Sequence, residues 1–326
     1  MTPKVSVIVP THNRLNYLEQ ALISIVQQSL SDLEIIVVDD CSYPPITESF
    51  VKQIADNIRL VRHEKSKGGP VAKNTGARMA KGKYIAFLDD DDLYAPDYLM
   101  SALNALESYQ GIDVFFMGVK WFSGDLIWGE YNQNDALEKI IEYAAVERNQ
   151  PIYKFEGEAL FEALLNGVPM AFQRPVTTLE HFNEIGFYKE DCLLWDCEWA
   201  LRAALSSKCG LINRGLYWQR ASQQGYFSRP NTQINQSISV LEIKKSFLPL
   251  NLKPELIKTL KESIIQAEKD LIWGYILSEN YGSAFKTLFK TLKHGVFLFQ
   301  LKFCLSILHR IFKSIYGSFN LLIARK

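Results

Sequence analysis

Five short runs of β-branched and aromatic residues, each separated from the next by a helix-like stretch, constrain this chain more than any other feature. The runs are Val5–Val9, Glu34–Asp39, Ile58–Arg62, Tyr84–Leu88 and Val114–Met117. Continuous apolar runs of this length suit strands covered on both faces, as in a parallel sheet. Between them, Leu15–Gln28 places Leu15, Leu18, Leu22, Ile25 and Val26 on one helical stripe. Pro70–Ala80 and Pro96–Glu107 each open on a proline, which suits a first helical turn. The alternation predicts a βαβ chain.

Past about residue 120 the pattern weakens. Trp121–Tyr131 reads as a bent strand or hairpin. Asp135–Arg148, Glu156–Leu165, Thr178–Ile185 and Leu194–Leu205 read as helices, Gln223–Gln236 as a mobile loop, and the chain from Ile238 onward as helical. Three regions are expected: 1–120, 121–240 and a helical 241–326. The last 47 residues, 280–326, hold no acidic residue, and 296–323 is rich in Phe, Leu and Ile. This tail suits either an interfacial membrane helix or a helix packed on the body with a basic outer face.

Charge and cysteines exclude several classes. Lys and Arg number 36, as do Asp and Glu, so the basic surplus typical of nucleic-acid binders is missing. Five cysteines form no C-x-x-C pair, which predicts reduced thiols in a cytoplasmic chain. The spacing of Cys192, Cys197 and Cys209 fits no usual zinc set. The N-terminus does not read as an export signal, and no run of 18 uncharged apolar residues predicts a spanning helix.

In an open parallel sheet, ligands bind beyond the carboxyl ends of the strands. The residues there are Pro10-Thr11-His12-Asn13-Arg14, Asp39-Asp40-Cys41-Ser42 and Asp89-Asp90-Asp91-Asp92. Four consecutive carboxylates repel one another unless a cation compensates. Mg²⁺ or Mn²⁺ prefers such oxygen ligands; the plainer alternative is a solvated turn that caps the next helix. Leu93 spoils a D-x-D-x-[TV] phosphatase motif, a calcium loop lacks its glycine, and neither G-x-x-x-x-G-K-[ST] nor G-x-G-x-x-G occurs.

The order of VSVIVPTHNR, EIIVVDDCS, GGPVAKNTGARMAKGKYIAFLDDDD and LLWDCEWALRA resembles the family 2 glycosyltransferases of the GT-A fold, over roughly residues 3–220. The resemblance implies an α/β fold with a mostly parallel sheet, flanking helices and a C-terminal helical extension. It also implies inverting sugar transfer from a nucleoside-diphosphate sugar to an acceptor hydroxyl, with Mn²⁺ or Mg²⁺; the tail suggests a glycan or lipid-linked glycan acceptor and a place at the inner face of a membrane. By the same resemblance Pro10, Thr11, His12, Asn13 and Arg14 line the nucleotide, with His12 stacking on the base and Asp39 reading it. Lys73 stands where the family often has Arg and faces the diphosphate. Asp91 ligates the metal, Asp90 sits near the ribose and Asp89 supports the cluster. Asp196 is the base, and Arg220 faces the diphosphate. An exposed helix lysine competes for Lys73, and Glu198 is expected to be a surface acid paired with Arg202. Two rivals are a nucleotidyltransferase, disfavoured because residues 10–14 hold no glycine, and a non-catalytic binder of nucleotide sugars or glycans.

Overall fold

The computed structural model describes residues 2–123, 127–221 and 232–292. The chain divides into two units, Met1–Gln224 and Gly225–Lys326.

In the first unit the strands are β1 (Val5–Thr11), β2 (Leu33–Asp39), β3 (Ile58–Arg62), β4 (Tyr84–Phe87), β5 (Leu93–Tyr94), β6 (Val114–Phe122), β7 (Ala145–Asn149), β8 (Ile152–Phe155), β9 (Pro175–Thr178) and β10 (Cys209–Arg220). Its helices are α1 (Leu15–Val26), α2 (Glu48–Ile54), α3 (Gly69–Met79), α4 (Tyr98–Ser108), α5 (Ile127–Ala144), α6 (Ala159–Leu164), α7 (Leu179–Ile185) and α8 (Trp195–Ser206), with a 3-10 turn at Met170–Gln173. The sheet order is β3-β2-β1-β4-β9-β6-β10-β8-β7, with β5 pairing β10. β3, β2, β1 and β4 run parallel. β9 is antiparallel to both its neighbours.

This order locates the site. The chain moves outward through β1, β2 and β3, then returns to place β4 on the other side of β1. The loops after β1 and β4 therefore diverge at a topological switch point, where a crevice opens. Every residue of β1 and β2 is buried, which accounts for their unbroken apolar composition. On α1, Leu18, Ala21, Leu22 and Ile25 are buried, each large side chain contributing about 1.5–3 kcal/mol relative to exposure. α3 lies so close to β1 that a Cβ on Gly76 would meet the Ile8 side chain at 2.3 Å. That approach sets the height at which Lys73, one turn earlier, meets the tip of β4.

Several expectations change here. Thr178 ends a strand and caps α7, accepting the His181 N–H at 3.1 Å. Asp135–Arg148 is not one helix: α5 ends at Ala144, and the alternating Ala145–Asn149 pairs with β8. β6 runs through Trp121 to Phe122, and residues 127–131 are helical rather than a hairpin. β10 was not legible because its register shifts between Ile212 and Tyr217, which breaks the strand period.

The second unit holds α9 (Thr232–Ser246), α10 (Pro254–Leu277) and α11 (Tyr281–Leu292). α9 runs through the expected boundary at 240/241, so helix begins earlier than the sequence pattern suggested, and Thr232–Gln236 is helix rather than loop. Ile272 and Ile276 of α10 meet Ala284 and Leu288 of α11. Lys245 donates to the buried Glu268 at 2.7 Å, tying α9 to α10. No helix among the described residues is long and apolar enough to cross a membrane. The tail 296–326 and the rest of the expected loop, 223–231, lie outside the described residues.

Candidate active site

The acidic run is a tight turn at the tip of β4, closed by the Asp92 N–H donating to the Asp89 carbonyl at 3.1 Å. Its four carboxylates have different surroundings. Asp89 receives Lys73 at 2.6 Å and faces Arg174 at 3.6 Å. Burial opposes its charge, but Lys73 and Arg174 prevail and hold it down at about 2. Asp90 accepts the Thr11 hydroxyl at 2.7 Å and Arg14 at 3.1 Å. Burial pushes Asp90 up to about 6, with Arg14 opposing and Asp91 assisting. Asp91 is paired with Arg14 at 2.8 Å and is raised by burial and by Asp89. Asp92 accepts the Tyr217 hydroxyl at 2.9 Å and the Arg220 N–H at 2.8 Å. Burial, against Arg174 and with Asp89 and Asp91, raises Asp92 to about 7. Arg174 cannot serve both acids equally, and the closer Asp89 keeps the charge.

The loop after β1 adjoins this turn. Pro10 and Thr11 are buried strand residues, so Thr11 acts by propping Asp90. His12 donates from Nδ1 to the Asp40 carbonyl at 2.7 Å, which leaves Nε2 to accept from the Asn13 amide at 2.9 Å. The exposed ring is thus fixed at the crevice edge. Asn13 has φ 57°. Its N–H donates to Ser42 and its Oδ1 accepts from the Tyr43 N–H, lacing the β1 and β2 loops together.

Asp39 differs from expectation. It is 0% exposed, and its oxygens already accept from the Ser42 and Ile46 N–H groups and from Arg62. In this geometry it shapes the 40–46 loop rather than presenting a carboxylate to a base. Asp40, unassigned in the sequence, accepts from Ser66 and from the N–H groups of Lys67 and Gly68, and pairs with His63 at 2.7 Å. Burial opposes its charge, but these donors hold its carboxyl below the usual range. It thereby anchors the turn at Gly68, whose φ of 93° suits glycine and leads into α3.

Lys73 is not an exposed helix lysine. It is 3% exposed, with its ammonium on Asp89 and 4.4 Å from the centre of the Trp195 ring. That ring belongs to α8, so Lys73 links the acidic turn to the helix carrying Asp196. Asp196 lies in the first turn of α8, half-buried, and accepts the Cys197 N–H at 2.8 Å. Burial raises its proton affinity; Arg174 and Lys73 oppose this and Asp89 adds to it. Trp195 meets Tyr188 edge-on at 4.8 Å. Glu198 is buried rather than a surface acid. It accepts Arg202 at 2.9 Å, and Arg202 also donates to the carbonyls of Ile185, Gly186 and Phe187. That pair clasps the preceding turn to α8.

Arg220 donates from Nε to the Asp91 carbonyl at 2.8 Å and stacks on Tyr17 and Phe122. The residue that sequence reasoning missed is Arg174. It follows the 3-10 turn, is 5% exposed, and lies 4.5 Å over the Tyr217 ring. Its Nε is buried without a hydrogen-bond partner. Burial would lower its proton affinity, but Tyr217, Asp89, Asp92 and Asp196 together raise it. The available signal was an arginine directly before the β-type run Pro175–Thr178. Among the described residues no three His, Cys, Asp or Glu side chains converge on a metal, so a cation here would rely on one or two carboxylates and on ligand oxygens.

Residues 6–165 match the family described as glycosyl transferase family 2. The GalNAc(5)-diNAcBac-PP-undecaprenol beta-1,3-glucosyltransferase of Campylobacter jejuni is 30% identical over 304 residues, 89% of this chain and 88% of that protein. The chain belongs to glycosyl transferase family 2. An uncharacterized glycosyltransferase of Rickettsia felis is 32% identical over 199 residues, 59% of this chain. This family 2 chain spans only 29% of that longer relative. Among solved structures, S. aureus TarS 1-349 in complex with UDP-GlcNAc superposes with a TM-score of 0.60 at 19% identity, over 83% of this chain and 81% of that one. The mannosyltransferase PcManGT from Pyrobaculum calidifontis, in complex with GDP-Man and Mn²⁺, gives 0.57 at 18% identity, over 97% and 83%. At these identities the two share the GT-A fold with this family 2 member.

Proposed function

We propose that this chain is an inverting glycosyltransferase that moves a sugar from a nucleoside-diphosphate sugar to a hydroxyl of a glycan or lipid-linked glycan in surface polysaccharide assembly. The observation that carries the reading is that Lys73 joins Asp89 of the acidic turn to Trp195, the neighbour of Asp196. Donor-type and base-type groups thus share one crevice. The glucosyltransferase of C. jejuni, named for an undecaprenol-linked acceptor, supports the acceptor class. Residues 1–120 hold the donor in this reading, and the later part of the first unit the acceptor.

A divalent cation fits the turn by the chemistry of its donors, which are hard carboxylate oxygens. Asp91, the metal residue in this reading, retains 18% side-chain exposure. Such a cation, Mn²⁺ or Mg²⁺, would neutralise charge on the departing diphosphate. His12 flanks the base and Lys73 adds positive charge toward the phosphates. Asp196 takes the acceptor proton as the acceptor oxygen bonds to the anomeric carbon and the carbon–phosphate-oxygen bond breaks on the opposite face. Its raised proton affinity suits a base at neutral pH. The basic tail 296–326 is the part of the reading that places the enzyme on the cytoplasmic membrane face. Deleting it should shift the protein from membrane to soluble fractions.

The test is a panel of nucleotide sugars incubated with Mn²⁺, Mg²⁺ or EDTA. Release of nucleoside diphosphate from one donor, suppressed by EDTA, is expected. Binding without release from any donor, with or without glycan acceptors, would overturn the enzyme reading in favour of a glycan-binding protein.

A further inference from the structure

The acidic turn carries its own counter-ions before any ligand arrives. Against Asp89, Asp90, Asp91 and Asp92 stand Lys73, Arg174, Arg14 and the Arg220 guanidinium on the Asp91 carbonyl. Four carboxyl groups facing four cationic groups leave the cluster without a net negative charge. The partners are unevenly shared. Asp89 has Lys73 and Arg174, Asp90 has Thr11 as well as Arg14, and Asp92 has Tyr217, a backbone N–H and Arg174 at 3.8 Å. The Asp91 carboxylate is held from outside its own residue by the Arg14 guanidinium.

We propose that Arg14 is a placeholder cation, seated on Asp91 until a nucleoside diphosphate draws the guanidinium away, so that uptake of a divalent ion at Asp91 waits for the nucleotide. This rests on the metal-and-donor reading above and specifies its order. One carboxylate oxygen cannot hold a guanidinium at 2.8 Å and a divalent ion together without bringing like charges into contact. Adding a doubly charged ion to such a cluster is unfavourable, whereas adding it with an anionic diphosphate is balanced. Here Nη1 is shared between Asp90 at 3.1 Å and Asp91 at 2.8 Å, whereas a guanidinium matches phosphate oxygens with paired donors, so the diphosphate offers it a better seat. Arg14 can move without unfolding its surroundings. Its side chain is 29% exposed, and its main-chain carbonyl stays pinned by the Tyr17 and Leu18 N–H groups at the start of α1.

The experiment reads binding rather than turnover. The full chain is titrated with Mn²⁺, and free Mn²⁺ is followed by electron paramagnetic resonance without nucleotide, with UDP and with GDP. Protein-free controls correct for Mn²⁺ held by the nucleotides. Wild type should take up Mn²⁺ about tenfold or more tightly with one nucleotide than without. Arg14→Gln should bind Mn²⁺ without nucleotide about tenfold more tightly than wild type, so its response to nucleotide shrinks. Arg14→Lys, which keeps the charge, should stay near wild type, and Asp91→Asn should lose uptake in every arm. If Arg14→Gln binds Mn²⁺ no more tightly than wild type while nucleotide still promotes uptake in both, the placeholder is overturned and the metal reading stands. Uptake by Asp91→Asn, or no uptake by any form in any arm, would overturn both.

Discussion

The two sides of the crevice are built differently. On the donor side, functional groups follow parallel strands, at the tips of β1, β2 and β4, and charge is met by charge. On the acceptor side, the sheet is mixed, and Asp196 stands at the start of a helix among the aromatic rings of Trp195 and Tyr188. The donor side can hold an anion's counter-charge in place, whereas the acceptor side raises one carboxylate's affinity for a proton. Arg174 and Lys73 are where these two solutions meet, since both bear on Asp89 and on Asp196.

The largest effect should separate the two sides. Asp196→Asn removes the base while leaving the acidic turn intact. Turnover should fall roughly 10²–10⁴-fold with donor affinity unchanged by calorimetry, and near-normal turnover would remove Asp196 from its role. Arg174→Met attacks the junction instead. Removing one partner of a buried charge cluster costs about 3–5 kcal/mol, visible as a lower urea midpoint, while the exposed pair Arg78–Glu190 (52% and 44%) should cost less than about 1 kcal/mol when broken. Equal midpoint shifts for the two would deny Arg174 its place as the shared cation.

Asp91→Ala tests the donor side alone. Donor affinity should become insensitive to EDTA, and a metal-dependent affinity that persists would move the metal elsewhere. The smallest effect concerns pH. Asp196 has a raised proton affinity because it is buried, so it is charged above its pKa, and turnover should fall as pH drops through that value. The acid limb should therefore lie above the ordinary carboxylate value of 3.8. Trp195→Leu admits water, lowers the proton affinity and should move the limb to lower pH by less than about one unit. A limb that stays put would mean the ring does not shield the base.

The same contrast explains what was legible in the sequence. β1, β2 and β4 are buried on both faces, so their composition is apolar throughout and their ends stand out as the first polar residues. Asp89–Asp92 and Arg14 were found that way, whereas Lys73, inside α3, came from the resemblance. β9 is four residues long and opens on proline, too short to show a period beside the helix that follows it. Because β9 was hidden, the arginine before it had no apparent location. Asp196 was found through resemblance, not periodicity, and Glu198 was misplaced because an i,i+4 acid–base pair looks the same on a buried helix face as on an exposed one. The burial of Asp39 was not legible for a related reason: no pattern shows that both of two adjacent acids are tucked under loops.

The most direct measurement is anomalous diffraction from crystals soaked with Mn²⁺ and either UDP-GlcNAc or GDP-mannose. An Mn²⁺ peak on the Asp91 carboxylate, a diphosphate beside Lys73 and an anomeric carbon facing Asp196 are predicted. A nucleotide bound elsewhere, with no metal peak at the tip of β4, would contradict sugar transfer at this crevice.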